Sequence, residues 1–259
     1  MDFIFFLSVL VYQGSIMVQN CFIQWPELIA GTLIRRYKRF IADIRLETGE
    51  AVTAHCPNSG SMAGCSQPGR PVYISVSHNP RRKLKYTWEL IEMPGSLVGT
   101  NTLVPNRLVR RCAESGVIPE LSGYDSIRAE VRAGDHTRFD LMLESRNSGK
   151  CWVEIKNCTL VENQTGYFPD AQTQRGRNHL KELQRQAAKG HRCVMFFLVQ
   201  RMDAVKFMPA DHVDPAYGEE LRRAVKNGVE ILVYDVHMDL AGIGLRNRLP
   251  YSFSGTASG

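Results

Sequence analysis

Two short stretches carry the groups that metal-assisted phosphodiester cleavage needs. In Arg138-Phe-Asp-Leu-Met-Leu143 and Cys151-Trp-Val-Glu-Ile-Lys156 the odd positions are apolar, and the even ones include Asp140, Glu154 and Lys156. Side chains alternate across a strand with a period of two, so these three share one face, opposite Phe139, Leu141, Leu143, Cys151, Val153 and Ile155. Mg2+, or Mn2+ in its place, takes hard oxygen ligands, and Mg2+ keeps several of its waters. Two carboxylates on rigid strands, Asp140 and Glu154, can hold such an ion against a phosphate, where it offsets developing charge and lowers the pKa of a water. Lys156 would orient that water or stabilise the transition state. Glu130 sits in a neighbouring stretch with the same alternation, Ile127, Ala129 and Val131 against Arg128, Glu130 and Arg132, and adds a further ligand or supporting contact. The competing reading is a half-exposed antiparallel sheet with a solvated face. Trp152 on the charged face speaks against plain solvation.

Further candidates surround these. Gln174, Arg175, Arg177 and His179 open the next helical segment. Arg175 or Arg177 at a helix start can bind phosphate with the free backbone N–H groups, or can be an ordinary exposed basic turn. Asp170 and Thr173 are the candidate N-caps. The loop His55-Cys-Pro-Asn-Ser-Gly-Ser-Met62 either presents amides around Asn58 and Ser59 to an anion or is a tight turn. A zinc site at His55, Cys56 and Cys65 lacks an evident fourth ligand. Basic residues cluster twice more, at Arg35, Arg36, Lys38 and Arg39 and at Arg81, Arg82, Lys83 and Lys85. The second cluster leads into Tyr86 and Trp88, a mixture of cations and rings that suits single-stranded nucleic acid. Its alternative is a strand edge guarded by charge.

The elements that must position these groups fall into two kinds. Residues 28–100 read as short strands and turns, a small barrel in which residues 33–44 form one long strand carrying the first basic cluster. A helix is expected over 103–115, with Pro105 in its first turn and Gly116 as its stop. Three strands follow at 126–133, 137–144 and 150–158, then a helix over 174–189. The apolar run 193–199 suits a central strand buried on both faces. A helix over 215–227 and a final strand over 229–236 complete a mixed α/β domain. Residues 251–259 read as a disordered Ser/Gly tail.

A chain of 259 residues is long enough for two such domains. Its net charge of +6 is uneven, since residues 31–111 hold 13 Lys and Arg against 5 Asp and Glu. That points to a polyanion-binding first half. The seven cysteines include no C-x-x-C pair and read as reduced thiols of a cytoplasmic protein. Residues 3–12 are an apolar run too short to span a bilayer. They lack a basic start, so Met17 is an alternative initiation site and residues 1–26 an extension. No paired carboxylates suited to glycosyl transfer, no Gly-rich nucleotide loop and no helix-turn-helix are evident.

Taken in order, several stretches resemble the sugar fermentation stimulation protein family. They are Leu33-Ile-Arg-Arg-Tyr-Lys-Arg-Phe40, the loop at 55–62, Thr87-Trp-Glu-Leu90 and Asn101-Thr-Leu-Val-Pro-Asn106. Glu130, Arg138-Phe-Asp140, Val153-Glu-Ile-Lys156, Gly166-Tyr-Phe-Pro-Asp170, Thr173, Arg175-Gly176 and His179-Leu180 follow. The resemblance implies an OB-fold-like barrel over 27–100 and a domain over 101–250 similar to the restriction-endonuclease-like PD-(D/E)xK nucleases, although Arg138-Phe139-Asp140 lacks the proline of that motif. It also implies non-specific DNA binding and a regulatory role in sugar (maltose) metabolism. RNA is a second expected partner, homodimerisation is left open, and no membrane is expected. Two functions therefore compete: a DNA-binding regulator without catalysis, and a metal-dependent nuclease to which the basic barrel delivers nucleic acid.

Overall fold

The computed structural model describes residues 21–133 and 137–253. The apolar run 3–12, Met17 and the end of the expected tail lie outside them. The first strand, β1 (Phe22–Gln24), does not enter the barrel. It pairs antiparallel with β16 (Gly242–Arg248), the edge of the second domain's sheet. Residues 21–26 are therefore not a loose extension. Ile23 is 5% exposed, and Gly242 is glycine because a Cβ there would lie 2.4 Å from the Ile23 carbonyl oxygen. Cys21 is disulfide-bonded to Cys112, with Cα atoms 4.8 Å apart, which corrects the reading of all the cysteines as reduced thiols. The sequence separation of 91 hides that pairing. Cys56, Cys65, Cys151, Cys158 and Cys193 are free and buried.

The barrel consists of β2 (Leu28–Tyr37), β3 (Ile41–Leu46), β4 (Ala51–His55), β5 (Pro71–Val76), β6 (Tyr86–Met93) and β7 (Ser96–Gly99). Strands run in the order β4-β3-β2-β5-β6-β7, and a parallel β4–β6 pairing closes five of them on themselves. The single strand expected over 33–44 is in fact a hairpin. Lys38 and Arg39 both take positive φ, 48° and 62°, which reverses the chain between β2 and β3. The alternating inward residues Leu33, Ala42, Ile44, Val52, Ala54, Val72, Ile74 and Trp88 make the barrel core.

The second domain is a three-layer α/β/α structure. Its sheet runs β1-β16-β15-β13-β10-β9-β8, with β8 (Ser126–Ala133), β9 (Thr137–Ser145), β10 (Gly149–Cys158), β13 (Arg192–Val199) and β15 (Val229–Met238). β13 lies parallel between β10 and β15, and every residue from Cys193 to Val199 is fully buried. Helix α1 (Val104–Glu114) covers one face through Leu108, Val109 and Cys112. Helices α2 (Gln174–Ala187) and α3 (Pro215–Lys226) cover the other through Leu180, Leu183, Tyr217 and Leu221. Pro105 and the positive φ of Gly116 delimit α1 as expected, and Thr173, not Asp170, caps α2 by accepting the Gly176 N–H at 2.9 Å. A small sheet of β11 (Leu160–Glu162), β12 (Thr165–Phe168) and β14 (Lys206–Pro209) lies beside the large one. β15 is not the last strand: β16 follows it, and its Gly-Ile-Gly start shows no clean alternation. The beginning of the expected tail is also ordered. Tyr251 bridges to Phe207, and the Phe253 carbonyl accepts an Arg222 N–H at 2.7 Å.

Candidate metal and nucleic-acid site

A fork in the sheet makes the site. β9 and β10 pair only as far as Leu141 opposite Val153, while β10 continues alongside β13 to Cys158. At the fork, the Asp140 carboxylate takes the place of the missing ladder bond and accepts the Ile155 N–H at 2.7 Å. Its other oxygen accepts from the Asn106 amide of α1 at 2.6 Å. The strict alternation expected of β9 breaks here. Phe139 joins Met142 and Trp152 on the α2 side, whereas Leu141 and Leu143 face α1.

Glu154 is 2% exposed. One of its oxygens, Oε1, accepts from Lys156 Nζ at 2.5 Å and contacts His179 Nδ1. Arg175 Nε donates to His179 Nε2 at 3.4 Å, so the network places the imidazole proton on Nδ1, where it is donated to Glu154. The other oxygen, Oε2, is buried with no hydrogen-bond partner among the described residues. Burial raises the Glu154 pKa, but Lys156 and His179 outweigh it and hold the carboxyl below its ordinary value. Asp140 behaves in the opposite way. Burial first, and then the charge of Glu154, push it up to about 7, against the opposing hydrogen bond from Ile155. Two carboxylates in this situation gain from a shared cation.

The donor set fits a hard divalent ion. Asp140 and Glu154 would hold it, with the unpartnered Glu154 Oε2 as the plainest vacant ligand atom. Among the described residues no cluster of three His, Cys, Asp or Glu side chains could enclose a metal. The remaining ligands must then be waters, backbone oxygens or the substrate itself, which suits Mg2+ or Mn2+ and not a closed zinc site.

Asp140, Glu154, Lys156 and Arg175 line one cleft of about 330 Å3, and so do Asn58 and Ser59 from the barrel. The loop at 55–62 ends on an amide that does bind an anion, that of Met62, and the anion belongs to the protein. The Met62 N–H donates to the Asp170 carboxylate at 2.9 Å, and the Ser61 hydroxyl donates to the Asp170 carbonyl at 2.5 Å. A Cβ on Gly60 would lie 2.5 Å from an Asp170 oxygen, so only glycine allows this approach.

Several expected residues lie elsewhere. Glu130 is exposed, takes a positive φ of 56° and pairs with Arg138 at 3.7 Å outside the cleft, so it is not a ligand of this site. Trp88 is fully buried and donates its indole N–H to the Leu90 carbonyl, which removes it from any base-stacking role. Arg36 is occupied with the protein's own backbone: it donates to the carbonyls of Arg39, Asn58, Gly60 and Ser61 at 2.8–3.0 Å and so shapes the cleft loop. Arg35 pairs with Asp43 at 2.8 Å. Arg177 donates to both Asp214 oxygens. Lys38, Arg39, Arg81, Lys83 and Lys85 are exposed on the barrel, and Arg82 donates to the Thr87 hydroxyl at 2.9 Å. His55 stacks on Phe40, while Cys56 and Cys65 lie in the barrel core, so no zinc site forms. Asn106 and Asp170 are the residues that sequence reasoning missed as parts of the site. Both lie in the stretches that carry the resemblance, and neither has a spacing that announces a role.

The fold and site define a two-domain protein, a closed five-stranded OB-like barrel joined to a mixed α/β domain with a carboxylate–lysine cleft. The description "SfsA N-terminal OB domain" matches residues 34–100, and "Sugar fermentation stimulation protein RE domain" matches residues 103–242. The chain belongs to the sugar fermentation stimulation protein family. It is 54% identical over 222 residues to the homolog from Geotalea uraniireducens, covering 86% of this chain and 96% of the relative. It is 55% identical over 223 residues to that of Geobacter sulfurreducens, covering 86% and 95%. The solved structure of Pyrococcus furiosus SfsA, described in complex with Ca2+, shares 28% identity and a TM-score of 0.82 over 89% of this chain and 98% of that one.

Proposed function

We propose that this protein binds nucleic acid, chiefly DNA, without regard to sequence and hydrolyses its phosphodiester bonds at a Mg2+- or Mn2+-dependent site. The observation that carries the reading is the unpartnered, buried Oε2 of Glu154, a residue that lines the same cleft as Asp140. The description of the Pyrococcus furiosus relative in complex with Ca2+, another hard oxygen-seeking cation, supports a metal in this family.

The ion would supply charge compensation at the scissile phosphate and a more acidic water. The chain's own residues do the rest. Asn106 and the Ile155 amide fix the Asp140 carboxylate. His179 fixes Glu154 Oε1, leaving Oε2 as its free donor. Lys156, whose ammonium donates to Glu154, would stabilise charge developing on the phosphate or orient the water.

A second reading has its own support. The Lys156 ammonium already pairs with the Glu154 carboxylate and His179 hydrogen-bonds it, so Glu154 has a cationic partner without an ion. A regulator of sugar metabolism that binds DNA and does not cut it is consistent with that and with the family's name. The deciding experiment incubates purified protein with plasmid DNA, single-stranded DNA and RNA in Mg2+ or Mn2+. The nuclease reading expects nicking or degradation that Glu154→Ala and Lys156→Ala abolish while binding persists. No cleavage of any substrate with either metal would leave the regulator reading.

A further inference from the structure

A second cleft, of about 630 Å3, adjoins the first and shares Arg175 with it. The side chains that line it are cationic or neutral: Thr137 and Arg138 on β9 and Arg175, Asn178, His179, Lys181 and Arg185 on α2. No Asp or Glu among the described residues lines it. His179 touches Glu154 while lining this cleft, so the imidazole forms part of the partition between the two.

We infer that this cleft is the track for the sugar–phosphate strand that enters the metal site, so that α2, and not the basic loop of the barrel, carries the main phosphate contacts. The inference rests on the proposed nucleic-acid function and assigns its binding surface. Arg175, Asn178, Lys181 and Arg185 fall three to four residues apart and so along one side of the helix. From Arg175 to Arg185 the helix rises about 15 Å, long enough to meet more than one consecutive phosphate of a strand.

The cations are available. Lys181 is exposed and makes no ion pair among the described residues. Arg185 pairs with Glu182 at 3.0 Å and Arg138 with Glu130 at 3.7 Å, but both guanidinium groups are more than half exposed, and such surface pairs yield readily to a phosphate. On the barrel, by contrast, Arg36 is bound to four carbonyls, Arg35 to Asp43, and Trp88 lies in the core. Arg81, Lys83 and Lys85 line neither cleft.

The test measures binding of a short fluorescein-labelled single strand, as DNA and as RNA of the same sequence, across a salt series with metal chelated so that no strand is cut. The full chain is compared with Lys181→Ala/Arg185→Ala and with Arg81→Ala/Lys83→Ala. Each single-strand phosphate contact contributes about 0.7 to the slope of log affinity against log salt, so the α2 double variant should flatten the slope by about 1.4. At low salt it should bind about tenfold or more weakly. The barrel variant should stay close to the parent. The ratio of the DNA and RNA affinities of the parent shows which strand the track prefers. A parent slope retained by the α2 variant, with the loss appearing in the barrel variant, overturns the inference and leaves the functional reading standing. Failure of the parent to bind either strand overturns the inference, and the functional reading falls with it only if plasmid DNA is neither bound nor cut. Arg138→Ala/Lys181→Ala repeats the measurement should the first α2 variant lose its circular dichroism melting transition.

Discussion

The backbone N–H of Met62, at the edge of the barrel, donates to the carboxylate of Asp170 in the α/β domain at 2.9 Å. This bond makes the barrel part of the wall of the cleft that holds Asp140 and Glu154. Asp170 also receives the Ser61 hydroxyl on its carbonyl, and Arg36 holds the same loop by its carbonyls. The Gly99 N–H donates to the Gln200 carbonyl at 3.1 Å, and Gln200 also donates to Asn157 in the cleft wall at 2.7 Å. The two domains therefore meet around the site and not beside it.

Asp170→Ala removes a hydrogen bond to a charged group and leaves the Met62 amide unpaired. It should cost about 1.5–3 kcal/mol of stability, measured by urea unfolding. Gly60→Val, whose Cβ would overlap the same carboxylate, should loosen the loop in the same direction. Either change should make the cleft residues on the barrel side more exposed to amide hydrogen exchange than those on β10. Unchanged stability and exchange in both variants would mean that the loop contact is incidental.

Trp88 is a core residue of the barrel. Trp88→Ala should destabilise the protein by about 3–5 kcal/mol, as large-to-small changes in cores do. Trp88→Phe should retain nucleic-acid affinity close to the parent, because the ring faces inward. A tenfold loss of affinity in a folded Trp88→Phe protein would restore the stacking role that its position beside Tyr86 suggested.

His179 orients Glu154. His179→Ala should weaken metal affinity by about 10- to 100-fold, the usual cost of losing a residue that supports a ligand. His179→Gln, which can still donate to Glu154, should recover much of it. Equal loss in both variants would mean that the ring's packing on Phe139 matters more than its hydrogen bond.

The candidate site was legible in the sequence because it follows a simple period. Asp140, Glu154 and Lys156 stand on strands whose alternate positions are apolar, and these strands, the Thr173 cap and the buried run 193–199 follow from local patterns. What was not legible depends on contacts far apart in the chain. Trp88 looks like a stacking residue from its basic neighbours, but the closed barrel turns it inward. Arg36 looks like a free cation until the loop at 58–61 folds back on it. Glu130 alternates correctly with its strand, yet its positive φ and its partner Arg138 keep it outside the cleft. The Cys21–Cys112 bond ties the start of the described chain to α1, the pairing of β1 with β16 ties it to the last strand, and no local pattern announces either. Asp140 itself marks the limit of periodicity, since Phe139 leaves the face that strict alternation assigns to it at the point where the sheet forks.

Calorimetric titration of the metal-free protein with Mn2+ tests the site most directly. The parent should bind one ion in the cleft, Asp140→Asn and Glu154→Gln should each abolish that binding, and Glu130→Gln should leave it intact. Undiminished binding in both carboxylate variants, or its loss in Glu130→Gln alone, would contradict the assignment of Asp140 and Glu154 as the metal ligands.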